Sequence, residues 1–177
     1  MNSEMPAAAS HAKEEYAVRK SDAQWRNELS DLEFAVLRQA STERPGTGAL
    51  LEERRAGTYF CRGCGAELFR SETKFDSFCG WPSFFDPNEK NAVEYIHDYS
   101  HGMVRTEVRC ARCGSHLGHV FPDAPHTPTG LRYCMNSVSL TFQPDSNADD
   151  QQLRIGAATE STSDSSSAAT ASKSAKR

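Results

Sequence analysis

The sequence has no long apolar run. Hydrophobic residues make up 37% of its 177 residues, and no stretch approaches the roughly 20 consecutive apolar residues of a membrane-spanning helix. The first residues lack the apolar core of a secretory signal, and Glu4, Glu14 and Glu15 argue against secretory and mitochondrial targeting. We therefore predict a cytoplasmic protein that has no membrane partner.

An excess of basic residues is also missing. The chain has 20 Lys and Arg against 24 Asp and Glu, which gives a formal net charge of −4 at pH 7. Binding to the phosphates of a nucleic acid requires a basic surface. The charge balance therefore argues against a nucleic acid partner.

Large apolar residues are nearly missing from both ends of the chain. From about Ser146 the sequence consists mainly of Ser, Ala, Thr, Asp and Gln, and the first twenty residues are similar. Such segments bury too little apolar surface to offset their conformational entropy. We predict a flexible N-terminal segment over residues 1–20, one domain over 21–145, a disordered tail over 146–177, and a monomer.

The predicted domain begins with two short helices and continues as β structure. Ser21 with Gln24, and Ser30 with Glu33, have the three-residue spacing of a helix capping box. From Gly57 onward the segments are short, rich in Phe, Tyr, Val and Thr, and broken by Gly and Pro, which is typical of strands. We predict a mainly β fold with short N-terminal helices.

The last predicted strand runs over residues 132–142 as one alternating segment. Its even positions place Cys134 on the same face as Arg132 and Asn136, next to an apolar stripe that ends at Phe142. We therefore expect Cys134 to lie where the buried part of the strand meets an open site.

Four of the six cysteines form two CxxC pairs, Cys61 with Cys64 and Cys110 with Cys113, each followed by a glycine. Two such pairs are what one tetrahedral Zn²⁺ needs. The alternatives are two redox disulfides or four ordinary buried cysteines, but a redox CxxC usually opens a helix after a strand, and neither pair does. We predict one structural Zn²⁺ held by these four thiolates.

The other two cysteines, Cys79 and Cys134, stand alone. Arg132 would favour a thiolate at Cys134, which would make it a reactive thiol. The alternative is a small buried cysteine that packs as a hydrophobe. Both interpretations stay open on these residues alone.

Three further residues are candidates for acid–base catalysis or substrate binding. His116 and His119 follow the second CxxC pair closely, and they are either acid–base groups or ordinary solvent-facing histidines. Trp81 follows Cys79 by two residues and is either part of an aromatic core or an apolar wall beside a thiol.

Taken together, these motifs resemble the methionine-R-sulfoxide reductase (B-type) family. The resemblance covers residues 21–142 and rests on five motifs in order: Cys61-x-x-Cys64, Gly80-Trp81-Pro82-Ser83-Phe84, Cys110-x-x-Cys113, His116-Leu117-Gly118-His119-Val120-Phe121, and Gly130-Leu131-Arg132-Tyr133-Cys134-Met135-Asn136-Ser137. It implies a mainly β domain of two antiparallel sheets that reduces the R epimer of methionine sulfoxide and is recycled by thioredoxin.

The resemblance also assigns roles to residues. It implies that Cys134 is the nucleophile, that Cys79 is the resolving cysteine, and that Trp81, His116, His119 and Asn136 form the substrate pocket. We expect catalytic roles for Cys134, Cys79, His119 and Asn136, and substrate contacts for Trp81, His116 and Arg132. The chain departs from the family pattern at Phe78, where a small residue is frequent, and at His126-Thr127, which lengthens a loop.

Two other functions share parts of this pattern. A zinc-ribbon-like binding module would need an exposed basic or aromatic face, which the acidic balance opposes. A general disulfide oxidoreductase would need Cys79 and Cys134 to act as a stable redox pair on disulfide substrates. Comparing the reduction of methionine sulfoxide with that of insulin disulfides separates these functions.

Overall fold

The computed structural model describes residues 4–146. The predicted disordered tail therefore lies outside the described residues except for Ser146. Among residues 4–146, no helix is long and apolar enough to cross a bilayer.

The two predicted helices are present and both capping boxes form. Helix α1 spans Asp22–Glu28 and helix α2 spans Asp31–Gln39. The hydroxyls of Ser21 and Ser30 each accept from the backbone N–H three residues later, which satisfies donors that a helix start leaves unpaired. Helix α2 ends at Ala40, whose φ of 55° lies in the left-handed region.

The strands form two antiparallel sheets, which confirms the predicted fold class. In chain order they are β1 Gly57–Cys61, β2 Glu67–Arg70, β3 Lys74–Phe75, β4 Ser83–Phe84, β5 Val93–Asp98, β6 Arg105–Cys110, β7 His116–Phe121, β8 Arg132–Met135 and β9 Leu140–Pro144. The smaller sheet has the order β2-β1-β9, and the larger has the order β3-β4-β8-β7-β6-β5.

An aromatic cluster joins the two sheets. Tyr59 of β1 and Phe69 of β2 face Phe84 of β4, with ring centroids 4.9 Å and 4.4 Å from that of Phe84. Tyr133 of β8 packs at 5.8 Å from Phe69. Aromatic rings bury large apolar areas and prefer such offset or edge contacts. This cluster anchors β8, the strand that carries Cys134.

The single strand predicted over residues 132–142 is wrong. The chain leaves the larger sheet after Met135, makes a 3₁₀ turn over Ser137–Ser139 and enters the smaller sheet as β9. The buried carboxylate of Glu43 accepts from the backbone N–H groups of Ser137 and Val138. These two N–H groups are therefore not available for hydrogen bonds to a neighbouring strand. Asn136 consequently sits at the bend between the two sheets.

The N-terminal segment predicted to be flexible makes defined contacts with the domain. Ala9 exchanges backbone hydrogen bonds with Tyr95 and His97 at 2.9 and 3.0 Å, and Val18 donates to the carbonyl of Arg112 at 3.0 Å. The two bonds of Ala9 pair groups of β5, an edge strand whose outer side has no other partner strand among residues 4–146. The composition of residues 1–20 gave no sign of this pairing. The domain boundaries themselves remain a prediction.

Candidate active site and metal centre

The four CxxC cysteines come together at one end of the sheets. Cys61 ends β1 and Cys110 ends β6, and each chain then turns back so that the N–H of Gly65 or Gly114 bonds the carbonyl of that cysteine at 2.8 Å. Both glycines have φ near +70°, where a side chain would be strained. The two turns therefore present paired thiols to a common point.

The spacing of these sulfur atoms fits a tetrahedral metal ion. All four Sγ atoms lie within 4.8 Å of one another, and the Cys61–Cys113 and Cys64–Cys110 separations are 3.7 and 3.6 Å. Metal–sulfur bonds of 2.3 Å would place sulfurs about 3.8 Å apart in a tetrahedron. The four cysteines can therefore hold one metal ion, as predicted.

The helices cover this cluster. Arg38 of α2 donates to the carbonyl of Cys113 at 3.0 Å and to Ser115 Oγ at 3.2 Å. The ring of Trp25 lies 4.8 Å from the Arg38 guanidinium. Cys61, Cys110 and Cys113 are buried. Since all four ligand atoms come from the protein and most are covered, the arrangement suits a structural site rather than a catalytic one.

The remaining two cysteines meet on the larger sheet. Cys134 lies in β8 between Ser83 of β4 and His119 of β7, its register partners. Cys79 lies on the loop between β3 and β4, and its Sγ atom is 3.7 Å from that of Cys134. A disulfide needs an S–S distance of about 2.05 Å, so a small movement of the loop joins the two sulfurs.

The backbone of the Cys79 loop is unusual. Phe78 has a φ of 56° and is 96% exposed, and Gly80 has a φ of 96°. A non-glycine residue in the left-handed region costs roughly 1–2 kcal/mol. This conformation turns the Phe78 ring to solvent while the neighbouring Cys79 thiol stays against Ser77 and Ser83.

The two thiols share one proton unequally. The hydrogen bond with Cys134 is the main cause that lowers the pKa of Cys79 to about 4, and the Ser77 and Ser83 hydroxyls act in the same direction. That hydrogen bond, together with burial, raises the pKa of Cys134 above its usual value, and Arg132 opposes this only in part. These contributions favour Cys79 over Cys134 as the thiolate of the reduced pair.

This distribution differs from the expectation that Arg132 makes Cys134 the thiolate. The guanidinium of Arg132 donates to both carboxylate oxygens of Asp123 at 2.9 and 2.8 Å, and it lies 4.5 Å from the Phe121 ring. This ion pair offsets part of the charge of Arg132, which still acts to lower the pKa of Cys134. Arg132 lines the depression beside Cys79 and His126 rather than the cavity beside Cys134.

A cavity of about 100 Å³ opens beside Cys134. Four of the predicted site residues line it, and four residues that the sequence did not single out join them. The predicted ones are Trp81, His119, Cys134 and Asn136, and the others are Thr42, Arg105, Gly118 and Phe121. The cavity is mostly apolar, with a few polar groups beside the thiol, which is the usual character of a small-molecule site.

Gly118 allows the strands to come close at this cavity. A Cβ atom there would lie 2.0 Å from the carbonyl oxygen of Cys134, which is closer than any real contact. The glycine between His116 and His119 in the sequence is therefore required by the approach of β8 to β7.

Glu43 holds two walls of the cavity. Its carbonyl accepts from Trp81 Nε1 at 3.1 Å, and its N–H donates to Asn136 Oδ1 at 3.0 Å. Asn136 Nδ2 also donates to the carbonyl of Leu117 at 3.0 Å. Both predicted pocket residues are thus fixed by backbone groups. Their orientation does not depend on a bound substrate.

The two histidines occupy different positions. His119 lines the cavity, and its Nε2 lies 2.7 Å from Asp98 Oδ2. His116 is 3% exposed, does not line the cavity, and bonds Glu107 through Nδ1 at 2.7 Å. His116 therefore lies behind His119, with ring centroids 5.6 Å apart, and its contact with substrate stays a prediction.

Comparison with known proteins supplies the family. The SelR domain matches residues 29–144, most of the chain. The chain belongs to the SelR family. The resemblance predicted from the five motifs is confirmed.

Curated relatives of this SelR chain have a common name. A protein of Leifsonia xyli named peptide methionine sulfoxide reductase MsrB is 64% identical over 133 residues, which cover 75% of this chain and 96% of that protein. Proteins of the same name from Bradyrhizobium diazoefficiens and Leptospira interrogans are each 54% identical, over 79% and 72% of this chain and 99% and 97% of their own lengths.

Within the SelR domain, sequence reasoning missed Arg105 and Asp98 as neighbours of His119. A signal was present in the strand pattern. Alternate residues Arg105 and Glu107 share one face of β6, and the register sets Asp98 opposite Arg105 and His119 opposite Glu107. With the strands β5, β6 and β7 aligned in this register, the charged residues near His119 would have indicated its contact with Asp98.

Proposed function

We propose that this protein reduces the R epimer of methionine sulfoxide, mainly in oxidised proteins and peptides, to methionine. Cys134 is the nucleophile and Cys79 the resolving cysteine. The observation that carries the proposal is the pair of sulfur atoms 3.7 Å apart beside a cavity lined by Trp81 and His119. The names of the relatives support the same activity.

The cavity suits the end of a methionine sulfoxide side chain. The indole of Trp81, fixed by Glu43, gives an apolar wall for the sulfur-bound methyl group. His119 and Asn136 lie at the polar part of the lining and would face the sulfoxide oxygen. Because methyl group and oxygen exchange places between the two epimers, an apolar wall opposite polar groups selects one of them.

Reduction begins when Cys134 becomes a thiolate. Its proton passes to the Cys79 thiolate, which lies within 3.7 Å. The Cys134 thiolate attacks the sulfoxide sulfur while a proton reaches the oxygen from His119, or from a water held by His119 and Asn136. The oxygen leaves the substrate sulfur and is transferred to Cys134, which yields methionine and a cysteine sulfenic acid.

The second step restores the thiol. The Cys79 thiol displaces the sulfenic acid oxygen of Cys134 as water, and a disulfide forms. An external dithiol then reduces this disulfide. Thioredoxin is the proposed reductant, and the depression beside Cys79 gives it access to the disulfide.

The metal at the four-cysteine cluster is proposed to be one Zn²⁺ with a structural role. When bound, it would tie β1 to β6 through Cys61, Cys64, Cys110 and Cys113. We also propose that the protein acts as a monomer in the cytoplasm, since two CxxC pairs suit a metal site in a reducing compartment.

The proposed function is tested by reduction of separated R and S epimers of a methionine sulfoxide peptide with a dithiol. We expect turnover of the R epimer only, and none by Cys134→Ser. Insulin disulfides serve as the competing substrate. Reduction of insulin without reduction of either sulfoxide would replace the proposal with a general disulfide oxidoreductase.

A further inference from the structure

Each histidine of the site has its own carboxylate, and each carboxylate has its own arginine. His119 bonds Asp98, which bonds Arg105 at 2.9 Å. His116 bonds Glu107, which receives two bonds from Arg109, both at 2.9 Å. Only the first set reaches the cavity, where His119 and Arg105 both line the wall.

Asp98 is held firmly at the end of β5. Its Oδ1 accepts from the N–H of Ser100 at 2.9 Å, and its Oδ2 lies between His119 Nε2 and the Arg105 guanidinium. Burial raises the pKa of Asp98, but the bonds from Ser100 and His119 and the charge of Arg105 outweigh it, so the pKa lies well below its usual value. Asp98 is therefore a carboxylate at neutral pH.

A carboxylate accepts hydrogen bonds and does not donate them. The 2.7 Å contact consequently places a proton on His119 Nε2. In the neutral ring, Nδ1 then carries a lone pair, and it is the nitrogen left for the cavity. His119 can give a proton to substrate from Nδ1 only as the imidazolium, the form that an adjacent carboxylate stabilises.

We propose that Asp98 is a positioning residue for the sulfoxide reduction step, because it fixes the Nε2–H tautomer of His119 and stabilises the imidazolium that delivers a proton from Nδ1. Asp98 acts through His119 and does not line the cavity. The inference rests on the proposed function and names the group that prepares its proton donor.

The charges around His119 oppose one another. Burial is the main cause that lowers its pKa, and Arg105 and His116 add to this, while Asp98 raises it. From the neighbouring strands, Glu107 of β6 and Cys134 of β8 are its register partners, and Cys79 lies against Cys134. Asp98 is the one carboxylate in direct contact with His119 among the described residues.

The sign of the expected pH effect follows from these contacts. The acid form of His119 is present below its pKa, so the reduction rate falls as pH rises through that value. Neutralising Asp98 removes a contribution that raises the pKa. An opposite charge in contact shifts a pKa by roughly 1–3 units. In Asp98→Asn we therefore expect the pH at which the reduction rate falls to move at least about one unit lower.

The test is single-turnover formation of methionine from an R sulfoxide peptide as a function of pH. We expect Asp98→Asn to slow this step at pH 7 by roughly 10- to 100-fold, part of the 10²–10⁴ that a general acid contributes. Asp98→Glu keeps the negative charge, so the reduction rate should fall at the same pH as in the wild-type protein. The exposed Asp76→Asn, in an ion pair with Arg54 away from the cavity, is the matched charge control.

A double-variant cycle separates positioning from general structural damage. In a His119→Ala background, Asp98→Asn should cause little further loss, since the two residues act as one unit. An equal loss with and without His119, or an unshifted pH profile, would overturn the proposal.

A spectroscopic measurement keeps the proposal testable even if Asp98→Asn does not fold or the protein reduces no sulfoxide. Long-range ¹H–¹⁵N correlation spectra of the wild-type protein report the tautomer of His119. We expect the proton on Nε2 in the neutral ring. A neutral ring protonated on Nδ1 would overturn the proposal whatever the activity.

Discussion

The four-cysteine cluster and the Cys79–Cys134 pair contain sulfur atoms at similar spacings, and we propose different chemistry for them. Two sulfur pairs of the four-cysteine cluster are 3.6 and 3.7 Å apart, and Cys79 and Cys134 are 3.7 Å apart. Distance between thiols therefore does not distinguish a metal site from a redox pair.

The backbone around the thiols makes the difference. The four-cysteine cluster is built from two matching turns, each closed by a glycine and covered by helices α1 and α2. The proposed redox pair, Cys79 and Cys134, joins a central strand to an exposed loop, where Phe78 is left-handed and open to solvent. The first arrangement fixes all its ligands, whereas the second has one fixed thiol and one that can move.

Removing the metal should break this comparison most severely. Structural zinc contributes on the order of 10 kcal/mol to folding, which is comparable to the whole stability of a domain. We expect stripping with a strong chelator to unfold the domain, as measured by circular dichroism and by elemental analysis of the protein. Cys134→Ser should keep both metal and fold. A folded, active, reduced protein without metal would contradict the assignment.

Replacing Cys134 or Cys79 with serine should separate sulfoxide reduction from disulfide formation. Cys134→Ser should abolish even one round of sulfoxide reduction. Cys79→Ser should still release one methionine per protein, because removing Cys79 removes the main cause that raises the pKa of Cys134. Rapid-quench analysis with dimedone trapping of the sulfenic acid measures both. Normal thioredoxin-dependent turnover by Cys79→Ser would place the resolving thiol elsewhere.

Alkylation at low pH should sharpen the contrast between the two redox thiols. With a pKa of about 4, Cys79 is a thiolate at pH 5, and its labelling should decline only as pH falls through about 4. In Cys134→Ser the largest lowering contribution is lost, and the rate at pH 5 should fall at least about 10-fold. Mass spectrometry of iodoacetamide-treated protein identifies the labelled site. Faster labelling of Cys134 than of Cys79 at pH 5 would reverse the assigned charge.

The smallest expected effect concerns the N-terminal segment beside the metal cluster. Tyr16 lies against Gly114, where an added Cβ would be 2.5 Å from its ring, and Val18 bonds Arg112. A chain that begins at Ser21 loses three backbone hydrogen bonds, each worth about 0.5–1.5 kcal/mol.

We expect that truncation to lower the melting temperature by several degrees, since 1 kcal/mol corresponds to about 2–8 °C in domains of 60–250 residues. A chain that begins at Met5 keeps the contacts of Ala9 and Val18 and is the control. Equal melting temperatures for the two chains would show that residues 5–20 add no stability.

Local signals account for the parts of this protein that its sequence predicted well. The capping boxes at Ser21 and Ser30 and the two CxxC turns each lie within a few residues of chain. Because the interacting groups are only a few residues apart, the chain itself brings them together. Their spacing in the sequence is then enough to predict the contact.

Long-range contacts account for what the sequence did not predict. The alternation of residues 132–142 continues through the bend at Asn136, and the group that stops the strand is Glu43, some 94 residues away along the chain. The ion pair of Arg132 with Asp123 and the contact of His119 with Asp98 also depend on how strands align. The alternation of a strand shows on which face of the sheet a residue lies, but it does not identify the residue opposite on the neighbouring strand.

Gly118 has a consequence for how the reaction is controlled. Without a side chain at this position, β7 and β8 approach closely, Cys134 and His119 lie directly opposite each other on these two strands, and the backbone sets their separation. If Cys134 is the nucleophile and His119 the proton donor, as proposed, the two groups are aligned before substrate binds and need little reorganisation during the reaction. Closure of the Cys79 loop is the conformational step that remains, so changes in solvent viscosity should act on regeneration of the thiol and leave oxygen transfer unaffected.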